Sequence, residues 1–335
     1  MEKPRLSLWA WAGFFTLCHP LFAEWQFAKT PLRANLRGVA AVSRQVVWAG
    51  GTNGTVVRSV DGGVNFFTRP VPGGESLDFR DIEAFSAGTA YLMSAGPGGA
   101  SRIYKTEDGG ERWHLLLTNP DQDGFFDAIA FWDERRGLVL GDPVDGRFVI
   151  RRTEDGGATW QTVAAASMPP ARPEEAAFAA SGTCLTVAPG GLAWFVTGGK
   201  GGGRVFHSRD GGRSWTVTTT DIPHPTPSSG LFSIAANASG WVAAGGDYRQ
   251  ETSGAGNLAL SASPVKSAPP IFLSAVAPRT GKDWIAVGPR GTFLSADGGQ
   301  SWSEAAEDGF HAISRAPDGA LFAAGARGRI ARWVD

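Results

Sequence analysis

The residues best suited to acid–base chemistry stand together in RTEDGGATWQ, the segment from Arg152 to Gln161. Its adjacent carboxylates, Glu154 and Asp155, are of the type that can divide the roles of general acid and general base in hydrolysis. Two glycines and then Trp160 follow them. The same residue types are also typical of a tight turn between two strands. The recurrence of the segment along the chain separates these alternatives.

Five copies of this segment occur, and each has an aromatic residue five positions after its aspartate. An aspartate in a tight turn accepts hydrogen bonds from N–H groups two or three residues further on, and the glycines adopt positive φ at little cost. A catalytic site is normally present once, so we interpret the copies as structural turns, here called the acidic turns, and expect no metal in them. Their aspartates are Asp61, Asp108, Asp155, Asp210 and Asp297, and their aromatic residues are Phe66, Trp113, Trp160, Trp215 and Trp302.

The elements that must position these turns are short strands. Apolar segments interrupted by glycine-rich breaks precede the acidic turns, as in residues 46–59 and 283–296. β-Branched and aromatic runs bounded by glycine are typical of strands joined as hairpins. Successive acidic-turn aspartates are 47, 47, 55 and 87 positions apart, which predicts a degenerate repeat without its acidic turn between Gly240 and Ser263. Four-stranded repeats of about 40 to 45 residues predict a β-propeller.

The repeats give seven blades, and the two ends of the chain together complete the last one. Residues 328–335 provide a third strand without a fourth, whereas residues 24–30 supply a strand in which Trp25 takes the position of Trp215. We therefore predict one all-β domain over residues 24–335. It is a seven-bladed propeller of four-stranded antiparallel blades, closed by the N-terminal strand pairing with the last blade. The predicted second strands contain Trp48, Tyr91, Val139, Trp194, Trp241, Trp284 and Leu321.

The first 23 residues have the pattern of a secretory signal peptide. Lys3 and Arg5 precede an apolar run that is too short for a membrane anchor, and a Leu-Phe-Ala sequence ends at Ala23. We expect cleavage near Ala23 and export to the periplasm or the cell exterior. No later segment has about 18 uninterrupted apolar residues, so we expect a soluble monomer without a membrane span. Cys184 is the only cysteine after this segment, and we expect it to be buried and inert.

Composition excludes several classes of partner and cofactor. The 335 residues have a formal net charge of -1 and no basic block, and phosphate neutralisation needs clustered Lys and Arg, so nucleic acid is not expected as a partner. No glycine-rich phosphate loop opens a helix after a strand, and the histidines are distributed among different blades. The sequence therefore predicts no metal, no cofactor and no oxidoreductase activity.

Several motifs outside the acidic turns carry a family resemblance: ESLDFRDIEAF (residues 75–85), GFFDAIAFWD (124–133), GDPVDGRF (141–148) and FAASGTCL (178–185). With the acidic turns, which look like BNR or Asp-box repeats of the sialidase superfamily, the chain resembles bacterial secreted propellers of the photosystem II stability/assembly-factor-like family. The resemblance spans essentially all of residues 24–335. It implies a non-catalytic propeller that binds a protein or peptide partner.

Strand order separates the two faces of such a propeller. If each blade runs outward from the axis, its first–second and third–fourth turns lie on one face, which holds the acidic turns. The second–third loops and the crossovers between blades lie on the other, here called the funnel face, and long loops on a rigid scaffold are where binding residues tend to lie. The candidate ligand-binding residues on the funnel face are Arg37, Arg80, Asp81, Asp127, Asp142, Glu175, Asp247, Tyr248, Arg249 and His311.

Two functions of different classes are compatible with these residues. The first is an exported, non-catalytic scaffold that holds a protein segment on the funnel face. The alternative is a sialidase-like glycoside hydrolase, in which Tyr248 and Glu175 form the nucleophile pair and Asp81 is the acid, with arginines binding a substrate carboxylate. The N-terminal Arg-Ile-Pro motif of sialidases is absent. Three converging arginines and a Tyr248–glutamate hydrogen bond would favour the hydrolase.

Overall fold

The strands form seven antiparallel sheets arranged around one axis. The computed structural model describes residues 24–254 and 256–335, so the signal peptide predicted over residues 1–23 lies outside the described residues. Within the described chain, no helix is long and apolar enough to cross a bilayer. The predicted all-β, seven-bladed propeller is therefore confirmed.

Blades 1 to 3 each contain four strands that follow one another outward from the axis. The N-terminal strand, β1 (Glu24–Phe27), belongs to the last blade and is described with it. Short 3-10 turns occupy Gly98–Ala100 and Ala165–Ser167. The strands of these three blades are β2 (Leu36–Ala41), β3 (Val47–Gly51), β4 (Val56–Ser59), β5 (Phe67–Thr68), β6 (Phe79–Ala84), β7 (Ala90–Ser94), β8 (Arg102–Thr106), β9 (His114–Thr118), β10 (Phe126–Phe131), β11 (Gly137–Val144), β12 (Arg147–Thr153) and β13 (Gln161–Thr162).

Blades 4 and 5 are joined by a small additional ladder on the funnel face. Two-residue strands pair with each other there and continue to the first strand of blade 5 through Gly198 and Gly230. Blade 5 is the degenerate repeat predicted from the spacing, because it has three strands and no acidic turn. The strands are β14 (Glu175–Ala176), β15 (Leu185–Ala188), β16 (Leu192–Val196), β17 (Gly198–Gly199), β18 (Arg204–Ser208), β19 (Thr216–Thr219), β20 (Ser229–Asn237), β21 (Gly240–Asp247) and β22 (Leu258–Leu260).

Blade 7 combines the two ends of the described chain. In this sheet β1 pairs antiparallel with the last strand, so that Trp25 lies opposite Trp333, as the closure prediction requires. A 3-10 turn at Ala326–Gly328 precedes that strand. The strands of blades 6 and 7 are β23 (Ala275–Pro278), β24 (Trp284–Gly288), β25 (Gly291–Ser295), β26 (Ser303–Ala306), β27 (Ala312–Arg315), β28 (Leu321–Ala324) and β29 (Ile330–Val334).

The predicted second strands are confirmed in every blade. Trp48 lies in β3 and Tyr91 in β7, and the five remaining residues occupy the second strands of their own sheets. The apolar core lies between neighbouring blades, as where Trp48 and Phe79 pack in one cluster from blades 1 and 2. Each sheet therefore buries both faces, and the blades fix the inner strands around the axis.

The acidic turns follow one hydrogen-bond scheme, seen in the copy around Asp155. The Thr153 hydroxyl donates to Asp155 (2.9 Å) and accepts from the Gly157 N–H (2.8 Å), while Asp155 accepts from the Thr159 N–H (2.9 Å). In this copy the backbone donor is thus four residues beyond the aspartate, because the turn's hydroxyl takes the N–H two residues on. In the copy around Asp210, the Arg213 N–H three residues on donates as well (2.9 Å), as expected. The Gly156 N–H bonds to the Arg135 carbonyl (2.8 Å), which places this turn beside the first–second turn of its own blade.

The contribution of the ring closure to stability can be tested at Trp25. This side chain is 5% exposed, contacts the rings of Phe310 and Trp333, and donates to the Thr292 hydroxyl of blade 6 (2.9 Å). We expect Trp25→Ala to lower the free energy of unfolding by roughly 3 to 5 kcal/mol, since it opens a cavity at the seam. Glu24→Ala, an exposed neighbour in β1, is the matched control and leaves the urea midpoint nearly unchanged. Equal midpoints for both variants would show that the seam does not support the ring.

Candidate functional site

The centre of the funnel face is closed by the crossover into blade 4. Phe178 stacks on Phe232 of blade 5 at 4.0 Å, and the Ser181 hydroxyl donates to the Ser274 carbonyl of blade 6 (3.0 Å). Gly182, at φ +74°, lies so near Asp81 of blade 2 that a Cβ would be 2.1 Å from its Oδ1. A segment that enters blade 4 yet contacts blades 2 and 6 must cross the axis. Residues 177–183 are therefore called the plug.

Three of the predicted site residues hold the plug in place. The Arg80 Nη1 donates to the Ala179 carbonyl (2.9 Å), and Asp142 Oδ1 accepts from the Ala177 N–H (2.9 Å). Asp127 accepts from the Ala179 N–H as well. Arg80, Asp127 and Asp142 thus form the rim on which the plug's backbone lies, and any ligand on the funnel face meets the plug as its floor.

Asp127 and Asp142 form a buried carboxyl pair. Burial, together with the neighbouring Asp142, raises the pKa of Asp127 well above its ordinary value, although the Ala179 N–H and Arg80 oppose this. Burial also raises the pKa of Asp142, to about 6. Asp127 Oδ2 has no hydrogen-bond partner among the described residues. This side of the funnel can therefore hold a proton near neutral pH.

The adjoining side of the funnel, on blades 7, 1 and 2, is cationic and is called the cationic side. Arg37 starts the inner strand of blade 1, and its pKa is lowered by burial and by the neighbouring Arg80, while Asp78 opposes this. Asp78 is already bound to Arg80 by contacts of 2.6 and 2.7 Å. Arg37 Nε has no hydrogen-bond partner among the described residues. Arg37 is thus a largely buried guanidinium near Asp78, whose Oδ2 is bound to Arg80 and whose Oδ1 has no hydrogen-bond partner among the described residues.

His311 and Arg329 extend the cationic side into blade 7. Burial, together with the positive charges of Arg37, Arg80 and Arg329, lowers the pKa of His311 to about 4, so His311 is neutral at physiological pH. Arg329 lies over the ring of Phe310 at 5.9 Å and donates to the Gly309 carbonyl (3.0 Å). The pKa of His311 shows that three guanidinium groups share this small region.

A pocket of about 630 Å³ continues from the cationic side between blades 6 and 7. Phe310 and His311 form part of its wall, with Arg290, Arg327 and Arg329 around them. Arg290 is bound to Glu251 (2.9 Å). A pocket lined by guanidinium groups and one aromatic ring suits an anionic or amphipathic side chain.

Tyr248 and Arg249 form an exposed edge on blade 5. Tyr248 is 43% exposed, packs edge-on against Phe178 and Phe232, and lies under the Arg249 guanidinium at 5.9 Å. Asp247 accepts from the Arg249 N–H (2.9 Å) and the Thr226 hydroxyl (2.8 Å), so its role here is to shape the loop.

Glu175 and Asp81 are placed differently from what the hydrolase hypothesis requires. Glu175 is bound to Arg204 and also accepts from the Thr197 hydroxyl (2.7 Å). Its side chain is fully buried, so it is not available to Tyr248. Asp81 accepts from its neighbour's N–H and from the Ile129 N–H of blade 3 (2.7 Å), which makes it a bridge between blades. The Tyr–Glu pair is therefore not assembled from these residues.

Sequence reasoning did not select Asp78, Arg204 or Arg329, nor the plug as a unit. Arg329 is the last residue of the second–third loop of blade 7. Because all such loops are assigned to the funnel face, Arg329 could have been selected from the sequence in the same way. Arg204 could not have been found that way, because its pairing with Glu175 depends on the β14–β17 ladder. Within residues 24–254 and 256–335, no three His, Cys, Asp or Glu side chains are grouped so as to hold a metal ion.

The raised pKa of Asp142 can be tested through the pH dependence of stability. Because the pKa of Asp142 is about 6 in the folded protein, the folded state binds a proton more tightly than the unfolded chain, in which the value is near 4. This contribution to stability is fully present below about pH 4 and is lost as the pH rises through 6. Asp142→Asn keeps an acceptor for the Ala177 N–H but cannot ionise.

We expect the difference in free energy of unfolding between Asp142→Asn and wild type to shift in favour of the variant by on the order of 2 kcal/mol as the pH rises from 4 to 7.5. Urea unfolding at each pH measures this difference. Asp145→Asn changes an exposed carboxylate of the same loop and should follow the wild-type profile. A wild-type profile for Asp142→Asn as well would contradict the assignment.

The comparisons with known proteins agree on the fold. No family model and no curated protein matches the chain. Among solved structures it is similar to "YCF48 bound to D1 peptide" (TM-score 0.66, 17% identity, 93% of this chain and 97% of that one). It is also similar to YCF48 from Cyanidioschyzon merolae (TM-score 0.64, 17% identity, 92% and 98%). A GH74 xyloglucanase from Xanthomonas campestris matches as well (TM-score 0.59, 17% identity, 92% and 53%). At these identities the likeness establishes the propeller fold alone.

Proposed function

We propose that the protein is an exported, non-catalytic scaffold that holds a segment of another protein on its funnel face. The observation that carries the proposal is Arg37, a largely buried guanidinium without a hydrogen-bond partner for its Nε among the described residues. Burying an unpaired charge costs free energy that folding does not recover. Such a group is expected where a ligand supplies the missing counter-charge.

The chemistry of the missing group follows from the surroundings of Arg37. Arg80 and Arg329 add positive charge, so Arg37, Arg80 and Arg329 together outnumber Asp78, whose Oδ2 is bound to Arg80. A carboxylate placed here would gain charge-assisted hydrogen bonds from a planar fork, the geometry that arginine offers best. We therefore infer that the bound segment presents a carboxylate to Arg37, from a side chain or from its C-terminus.

The rest of the face fits an extended segment better than a compact ligand. The Tyr248 edge packs against Phe178 of the plug, and Glu251 of the same loop lines the pocket between blades 6 and 7. Exposed aromatic and arginine side chains are enriched at protein interfaces. A peptide that follows this loop would meet both an aromatic contact and the cationic pocket.

Two further observations support this function. The structural neighbour YCF48 is described as bound to a D1 peptide, and the sequence motifs resemble those of assembly-factor-like propellers. The apolar N-terminal segment, with its Leu-Phe-Ala before Glu24, supports export. The partner of this chain is defined here only by its chemistry, a peptide with a carboxylate at the Arg37 position.

The third test compares binding and stability in one variant. Random decapeptides with free C-termini are selected on the protein, and the tightest is measured by fluorescence anisotropy. We expect Arg37→Met to weaken its binding roughly 10- to 100-fold, as loss of a charge-assisted hydrogen bond predicts. The free energy of unfolding should not fall, because the variant removes an unpaired buried charge.

The control for this test is Arg213→Met, which makes the same charge change at an exposed guanidinium beside an acidic turn. It should bind the peptide like wild type. Failure to select any peptide, or equal binding by the Arg37 and Arg213 variants, would overturn the proposal. A large loss of stability in Arg37→Met would instead assign Arg37 a structural role.

The hydrolase alternative gives a fourth test. Because Glu175 is held by Arg204 and Thr197, we expect no hydrolysis of fluorogenic aryl sialosides or glucosides above the uncatalysed rate. The Glu175→Gln variant serves as the blank for contaminating activity. Turnover by wild type that Glu175→Gln abolishes, with both proteins folded, would restore the hydrolase.

A further inference from the structure

Beneath the plug the central channel continues as a separate cavity of about 360 Å³, here called the chamber. The plug residues Ser181, Gly182 and Thr183 form one end, and the walls are the inner strands of the blades. Pro278 and Arg315, at the last positions of their strands, form the other end, which faces the acidic turns. The chamber is therefore closed toward the funnel face and opens on the opposite side.

The chamber exists because small side chains occupy one level of the inner strands. Ala40, Ala130 and Ala277 lie at equivalent positions, paired with the second residues of the next strands, Trp48, Leu138 and Ile285. Glu83, paired with Tyr91, occupies this level in blade 2, and Ser314 occupies it in blade 7. A carboxyl group thus stands where three other blades have alanine, and it lines the same space.

Glu83 and Asp81 lie on the same strand but differ in their bonding. Asp81 uses both of its oxygens to accept backbone N–H groups, as the bridge between blades 2 and 3. Among the described residues, no hydrogen-bond donor is bound to the Glu83 carboxyl, and burial raises its pKa to about 8. The geometry of the sheet therefore explains Asp81, whereas the Glu83 carboxyl lines the chamber.

Arg315 supplies the opposite charge at the open end of the chamber. It lies one position nearer the acidic-turn face than Ser314, whose hydroxyl accepts the Ala41 N–H (3.0 Å). Among the described residues, no carboxylate forms a salt bridge with Arg315. Backbone hydrogen bonds from Arg44 and Ala320 lower the pKa of Asp318, in the turn after this strand, and the charge of Arg315 adds to this effect. The chamber thus has an acid within it and a guanidinium at its mouth, on different blades.

We propose that the chamber binds a small zwitterion of the amino-acid class, with its ammonium group toward Glu83 and its carboxylate toward Arg315. The volume is at the small end of ligand sites, which suits a molecule of this size. The two charges stand on separate rigid strands, so the site selects the distance between the ligand's charged groups. The Thr183 and Thr186 side chains line the same space and offer hydroxyl groups.

Proton release accompanies this binding. Because Glu83 is protonated below about pH 8, an ammonium group must displace that proton to form the ion pair. The association constant is therefore expected to rise about tenfold per pH unit below pH 8 and to level off above it. The ligand's own ammonium group stays charged over this range.

The fifth test uses isothermal titration calorimetry at pH 8.5 with glycine, β-alanine, γ-aminobutyrate and leucine. Propylamine and propionate represent the two separate charges. At least one amino acid is expected to bind with a stoichiometry of one to one. It should bind at least tenfold more tightly than either propylamine or propionate. Affinity should fall about tenfold from pH 7.5 to pH 6.5. Failure of every amino acid to bind, or equal binding of propylamine, overturns the proposal.

Matched variants locate the site. Glu83→Gln and Arg315→Gln should each weaken binding at least tenfold, and Glu83→Gln should also remove the pH dependence. Glu111→Gln, an exposed carboxylate beside an acidic turn, should change nothing. Urea unfolding verifies that each variant folds, and the decapeptide selected on the funnel face should bind Glu83→Gln like wild type. Retained amino-acid binding in Glu83→Gln would overturn the assignment.

Discussion

The antiparallel pairing of Glu24–Phe27 with Ile330–Val334 closes the ring, and the rest of the structure depends on it. A propeller buries its core between blades, so an incomplete blade would expose the facing surfaces of both neighbours. The indole of Trp25 also bonds across to Thr292 of blade 6. The cationic side of the funnel draws on blades 7, 1 and 2, and blade 7 is the blade that this pairing completes. The closure therefore brings His311 of blade 7 to Arg37 of blade 1.

The plug makes the two faces of the ring different. Without residues 177–183 the axis would be a continuous channel, whereas the plug separates a funnel on one side from the chamber on the other. Its backbone bonds on the funnel side are made by Arg80, Asp127 and Asp142. The same side chains that form the funnel rim thus hold its floor, so the charge of the rim and the position of the floor are linked.

The sequence predicted the features that recur and missed those that occur once. Blade number, second strands, the degenerate fifth repeat and the closure all follow from one pattern repeated along the chain. The funnel-face grouping follows from strand parity. The plug is a single crossover whose contacts join residues up to 99 positions apart, and no periodicity encodes them. The Glu175–Arg204 pair is likewise a local event, so Glu175 looked available when it is enclosed.

Charge pairing separates structural from functional groups in this propeller. Glu175 and Arg204 are buried together, and Arg151 is bound to Asp121 (2.6 Å), so each buried charge has the partner that folding requires. Arg37 and Glu83 differ, because among the described residues neither of them forms a salt bridge, although Asp78 lies near Arg37. One lies above the plug and the other below it. A neutral side chain at either position would cost the fold less. We propose that ligands complete each pair, a carboxylate in the funnel and an ammonium group in the chamber.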